Sequence, residues 1–182
     1  MTGVVYVQPG TFNSGSTYFQ TADGGLLFFE SGNPLVVGDE IMVSGTVGAF
    51  GDEIQLNSAT YTVLSSGNTP VALPFGTGDL ADGTDELGNF VSVTGLLAEV
   101  SIGFNSVFTV DDGTGPCLVF IDGTTAIDVT VLQSMVGDIV SVQGASKCYL
   151  GEGEVLPRMD SDIQLVTVAT DDASMGEVKA RF

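Results

Sequence analysis

Apolar and polar residues alternate along this chain in short runs, and no segment holds a helical period for long. The runs "YFQTADGGLLFF" (18–29) and "VFTVDDGTGPCLVF" (107–120) are strand-like stretches bent at an Asp-Gly turn. Each is followed by a Val-Gly-Asp tripeptide, at 37–39 and at 136–138, and then by a strand that ends on a glycine, "EIMVSG" and "IVSVQG". Upstream, Thr2-Gly3-Val4-Val5 matches Thr94-Gly95-Leu96-Leu97. By the same alignment Tyr18-Phe19 matches Val107-Phe108, Asp23-Gly24 matches Asp112-Gly113, and Glu53-Ile54 matches Glu154-Val155. A closing strand follows in each half, "TYTVLSS" and "DIQLVTV", so the similar "EIQL" (53–56) and "DIQL" (162–165) fall on successive strands rather than equivalent ones.

The chain is therefore read as the same plan written twice: a long strand, a hairpin, a connection and two more strands. Gly45 and Gly144, inside strands, mark bends. The second connection, "TTAIDVTVLQSM" (124–135), has room for a short helix; the first, "SGNPL", is too short and carries Pro34. Five strands with a helix slot after the third is the plan of the OB-fold. The expectation is an all-β protein of two tandem five-stranded OB-fold-like Greek-key barrels with little helix. Residues 1–66 form the first barrel and 89–169 the second. Between them, 67–88 is a linker rich in Pro, Gly and Asp whose apolar residues pack it along a barrel, and 170–182 is a C-terminal tail.

Three stretches carry a family resemblance: "FTVDDGTGPCLVFID", "VGDIVSVQGASKC" and "LPRMDSDIQL". They resemble the tandem OB-fold modules of large bacterial extracellular and surface proteins, modules that also accompany predicted secreted nucleases. The resemblance covers residues 89–168 and, more weakly, 3–66. It implies an extracellular or cell-surface location and a non-catalytic structural or interaction role, with a nucleic-acid-binding accessory module of a secreted nuclease as the alternative.

Charge separates these two. The 182 residues hold 23 acids and 4 bases, a net charge of −19, which repels phosphate backbones. Lys147, Arg158, Lys179 and Arg181 are all the cations there are. Candidate stacking aromatics exist (Tyr18, Phe19, Phe28, Phe108, Phe120), but their alternation with aliphatics suits a core. Nucleic acid is thus an unlikely partner, and another copy of the chain or a neighbouring module is the expected one. The N-terminus "MTGVVYVQPG" lacks the basic start of a signal peptide, and no apolar run reaches membrane length.

No catalytic constellation appears: there is no His, no nucleophile motif and no phosphate loop. Arg158, close to Asp160 and Asp162, suits a structural ion pair or loop hydrogen bonds. Asp23, Asp39, Asp111, Asp112 and Asp138, on turns and strand starts, are the candidate Ca²⁺ ligands, although aspartate is also the natural turn residue. Cys117 and Cys148 read either as a disulfide within the second repeat or as two buried thiols.

The two repeats begin differently. The second enters through "GNFVSVTGLL", whereas the first starts at "MTGVV", without the front half of its first strand. Beyond the second barrel, "SMGEVKARF" resembles the lead-in to another module, with Val178, Ala180 and Phe182 alternating with Lys179 and Arg181 as in a half-buried strand. Either this tail packs on its own chain or the chain is an excised fragment, or the tail supplies edge pairing to the next molecule, a head-to-tail contact that builds a filament.

Overall fold

The computed structural model describes residues 1–51, 53–83 and 87–167. Val178, Ala180 and Phe182 lie outside the described residues.

Strands β1 (Thr2–Val7), β2 (Ser16–Thr21), β3 (Gly25–Phe29), β4 (Glu40–Phe50) and β5 (Glu53–Ser65) close into a barrel in the order β1-β2-β3-β5-β4. Every neighbouring pair is antiparallel except β3–β5. After β6 (Leu73–Pro74) and α1 (Thr77–Ala81), the chain repeats the tracing with β7 (Phe90–Ser101), β8 (Ser106–Asp111), β9 (Cys117–Ile121), α2 (Val129–Ser134), β10 (Ile139–Tyr149) and β11 (Glu152–Leu156). Here the ring is β7-β8-β9-β11-β10, with β10 returning to β7 and β9–β11 the parallel pair. A last strand, β12 (Ile163–Leu165), lies on the start of β10. The protein is all-β, two OB-fold barrels in tandem.

The repeat extends to individual backbone bonds. Val5 N–H donates to Asp39 O at 2.8 Å and the Val5 carbonyl accepts from Gly38 N–H at 2.9 Å; Leu97 does the same with Asp138 and Gly137 at 3.0 and 2.9 Å. Gly38 and Gly137 turn the chain there at φ +91° and +95°, which a side chain would oppose. This explains why Val-Gly-Asp is written twice.

Two of the expected equivalences slip by two residues. Leu27 faces Gln55 across the parallel ladder and Leu118 faces Glu154, so Glu154 is the counterpart of Gln55, and Glu53 that of Glu152. Phe28 faces Thr17 and Val119 faces Phe108, so Phe108 replaces Thr17 rather than Phe19. A slip of two keeps every side chain on its face, so hydrophobic alternation does not resist it; only the ladders decide. The hairpin turns shift likewise: Gly24 and Gly115 are the matching positive-φ positions, at +144° and +140°. In the first turn Asp23 N–H donates to the Thr21 hydroxyl, as Thr114 N–H donates to Asp112 in the second.

The stretches 53–56 and 60–65 lie on one strand in the first barrel. A bulge at Ser44/Thr46, with Ser58 at φ 51°, absorbs the bend. Pro157 and a 3₁₀ turn at Asp160–Asp162 break the corresponding run into β11 and β12. The helix slot is filled by α2 in the second barrel. Asp128 caps it, accepting from Thr130 N–H and hydroxyl, and these bonds hold its carboxyl below the usual range. Its buried Leu132 enters the second core with Ile127. The first connection sends in Leu35.

The linker is part of the second barrel. β6 pairs with β7 in parallel, and Leu80 of α1 reaches the second core. Thr77 N–H and hydroxyl both donate to Asp112. The first barrel closes through β1: Thr2, Gly3 and Val4 pair with β4 on one side, and β1 pairs with β2 on the other.

Candidate interaction surface

The outer face of β1, β2 and β3 carries Tyr6, Tyr18 and Leu27, and this face is buried against Phe90, Ala145 and Leu156 of the second barrel. Tyr6 stacks on Phe90 with centroids 5.0 Å apart. On the same ring, 4.3 Å from its centroid, sits the Arg158 guanidinium. Arg158 grips both oxygens of Asp162 at 2.8 and 2.7 Å and donates to the Tyr6 carbonyl at 2.7 Å. Gln20 donates to Asn89 at 3.0 Å and accepts from Phe90 N–H at 2.8 Å. Gly25 must be glycine, since a Cβ there would stand 1.8 Å from the Gly88 carbonyl oxygen. Lys147 reaches across to Glu53 at 3.2 Å, and the Tyr18 hydroxyl donates to the same carboxylate at 2.7 Å. Burial, and then the Glu53 charge, raise the Tyr18 phenol well above its ordinary value.

This seam has an electrostatic consequence. Strands 2 and 3 form the surface on which OB barrels commonly take oligonucleotides, and in the first barrel that surface is occupied by the second. Lys147 and Arg158, the basic side chains among the described residues, are both engaged in the seam. Arg158 is indeed in an ion pair with Asp162, as its sequence neighbourhood suggests, but it also ties the barrels together. Of the candidate stacking aromatics, Tyr18, Phe19, Phe28 and Phe108 are buried, and Phe120 packs half-buried at the seam.

The five aspartates are not brought together, and among the described residues no group of three acids or thiols gathers to hold a metal. Asp39 accepts from Val36 N–H and the Ser66 hydroxyl. Asp111 accepts from Gly113 and Gly115 N–H. Asp112 accepts from Thr114 and Thr77, and these bonds hold its carboxyl far below the usual range. Asp23 and Asp138 are exposed on separate turns. The carboxylates of Asp39, Asp111 and Asp112 thus fasten turns.

Cys117 and Cys148 are free thiols, and the disulfide reading is corrected. Cys148 faces Gly153 across β10–β11, and Cys117 adjoins the β9–β11 ladder. β11 therefore separates the two, at about 10 Å for two strand spacings, beyond the reach of an S–S bond. Burial pushes the Cys117 thiol up to about 12.

One open part of the molecule is the β4–β5 hairpin. Beyond Val43, whose N–H donates to Met1 O at 2.9 Å, residues 44–50 of β4 have no ladder partner on the β1 side among the described residues. Val47 is 65 % exposed and Phe50 74 %. A groove of about 290 Å³ runs beside this edge, lined by Met1, Met42, Val43, Ser44 and residues 60–62. At the hairpin tip a second pocket, about 310 Å³, is walled by Phe29 and Phe50 with Asn13, Glu53 and Gln55. Sequence reading missed both rings, although Phe29, next to inward-facing Phe28, has the outward phase that would have revealed it.

No family model matches the chain, and no curated protein matches it. Among solved structures it is similar to a murine DNA-binding protein bound with double-stranded DNA (9% identity, 87% of this chain and 94% of that one, TM-score 0.44). It is also similar to the p204 HINb domain (11%, 91% and 96%, TM-score 0.40) and to an OBody bound to hen egg-white lysozyme (18%, 56% and 100%, TM-score 0.40). With scores below 0.5, these likenesses say nothing of what this chain binds.

Proposed function

We propose that the chain is a non-catalytic interaction module of an extracellular surface protein, whose copies join head to tail through residues 170–182. The observation that supports this most is the edge of β4 at residues 44–50, which has no ladder partner on the β1 side among the described residues and carries exposed Val47 and Phe50. An open edge of this kind offers a row of unpaired N–H and C=O groups and recruits another strand. In the first barrel, the surface that binds polynucleotides in many OB-folds is buried in the seam, which supports a protein partner over a nucleic one. Calcium enters only as a counter-ion that lessens repulsion between copies each carrying −19. Sedimentation velocity across a concentration series, with and without Ca²⁺, tests the reading. Concentration-dependent growth is expected, and a monomer under both conditions would refute self-assembly.

The pocket between Phe29 and Phe50 favours one alternative, a nucleic-acid-binding accessory module of a secreted nuclease. Rings at a barrel mouth can stack bases, but here they flank the Glu53 carboxylate. Fluorescence anisotropy with a labelled single-stranded oligonucleotide at low salt separates the two. No binding is expected at concentrations where basic OB-folds saturate; a Kd below about 10 µM would establish the alternative.

A further inference from the structure

The pocket at the β4–β5 tip is built from parts that the fold holds in place. Phe29 is two residues beyond Leu27 on β3 and so faces outward with it, but the seam covers Leu27 and leaves Phe29 56 % exposed. The Phe29 ring lies against Gly15, where a Cβ would stand 2.9 Å from it. Asn13 fixes that loop, its Oδ1 accepting from Gly15 N–H at 3.0 Å and from Ser16 N–H at 2.7 Å. On the other wall Phe50 is opposite Glu53 across the hairpin, and Gly48 is opposite Gln55. The Asn57 side chain lies over Gly48, where a Cβ would collide with its amide nitrogen, and its Oδ1 accepts from Gln55 Nε2 at 2.8 Å.

What these bonds leave over is acceptors. With its Nε2 tied to Asn57, Gln55 keeps its carbonyl oxygen, to which no described residue donates. Both bonds to Glu53, from the Tyr18 hydroxyl and from Lys147, fall on Oε1, and among the described residues nothing bonds Oε2. Lys147 does not cancel the local charge, because it is also opposite Glu154 across β10–β11, one base between two acids. An apolar side chain entering here would leave both oxygens unpaired, and an anion would meet a carboxylate. We infer that this pocket takes an arginine side chain of a basic partner protein, its guanidinium against the Phe29 and Phe50 rings and its N–H groups donating to Glu53 Oε2 and Gln55 Oε1. Arginine suits the site better than lysine, because its guanidinium is flat, stacks on rings, carries five donors and is weakly hydrated. At about 310 Å³ the pocket is at the small end of ligand sites, with room for one side chain rather than a strand. The net charge of −19 draws such a partner in from a distance. The inference goes beyond the interaction-module reading and does not require copies of the chain to join.

The test is an NMR titration of the full-length chain, at low fixed concentration, with a blocked pentapeptide carrying one arginine among glycines. Its twin carries citrulline, which keeps the shape and loses the charge. The amides of residues 29, 50, 53 and 55 should shift and saturate together, with a Kd of about 1 mM. The arginine Cδ protons should move upfield in the ring currents. Citrulline should bind at least about tenfold more weakly, and Phe50→Ala and Glu53→Gln should each weaken the arginine peptide at least about fivefold. Phe50 is exposed, so its variant keeps the test sound even if Glu53→Gln loosens the seam. Equal binding of citrulline, or binding undiminished by Phe50→Ala, overturns the inference. Shifts that never saturate and spread over the acidic turns show attraction to net charge alone and overturn it as well. A short oligothymidine that moves residues 29 and 50 at low salt would assign the pocket to nucleic acid instead. The sedimentation series decides self-assembly separately, so either reading can fail while the other stands.

Discussion

Fifteen apolar residues cluster in the core of the second barrel, against seven in the first. The five-stranded ring is the same in both, so the difference lies in what surrounds it. Leu80 comes from α1, and Val91 and Val93 from the front of β7; the first-barrel cluster, among the described residues, draws on its strands and on Leu35. The second barrel is thus finished by its own chain. The first is covered by the seam over Tyr6, Tyr18 and Leu27, and residues 44–50 of its β4 have no ladder partner on the β1 side among the described residues. One topology thus carries two surroundings: linker elements pack on the second ring, and the second barrel itself covers a face of the first.

The comparison breaks most directly at Arg158. Arg158→Ala would leave Asp162 buried without its cation and remove the contacts to Phe90 and the Tyr6 carbonyl. Removing one partner of a buried pair costs roughly 3–5 kcal/mol, and for a chain of this size that lowers Tm by about 10 °C. If the first barrel leans on the seam, calorimetry should also resolve its melting below that of the second. A single transition within a degree of wild type would show that the seam holds neither barrel.

A paired substitution tests the edges. Val91→Ala removes two methyl groups from the closed end of the second barrel and should cost about 2 kcal/mol. Val47→Ala, in the exposed first-barrel edge, should change the stability of the monomer by less than about 0.5 kcal/mol. Urea titrations at low protein concentration measure both. Equal costs would mean that the first edge is already covered.

Local chemistry was legible in the sequence and register was not. The Asp-Gly turns and the Val-Gly-Asp corners are short-range devices, and each sits where its glycine is needed. Glu53-Ile54 matched the wrong pair by two positions because a two-residue slip leaves alternation intact. Tyr6 and Tyr18 have the outward phase that a ligand-binding face would have, and nothing near them in sequence says that a second barrel covers them. Arg158 could be assigned to Asp162 four residues away, but its acceptor at Tyr6 is 152 residues distant. The aspartates fit a metal by composition. Their dispersal over four places, with Asp111 and Asp112 sharing one turn and the carboxylates of three already bonded, emerges only in three dimensions.

The smallest expected effect turns one barrel into the other at a single side chain. Glu154 is the register counterpart of Gln55, and it is buried where Gln55 is partly exposed. Burial holds its carboxyl above the ordinary 4.5; Lys147 offsets this and Glu53 adds to it. A carboxyl with a raised folded-state pKa favours the fold while protonated. That contribution is present below 4.5 and is lost as pH rises through the folded value, so at neutral pH ionised Glu154 works against folding. Glu154→Gln removes the charge and keeps the shape, as the first barrel already does. It should raise Tm at pH 7 by about 3 °C, for roughly 1 kcal/mol, and the gain should fade as pH falls toward 4.5. A loss of stability at pH 7 would mean that the attraction between Glu154 and Lys147 outweighs burial, and that the second barrel uses its acid where the first does without one.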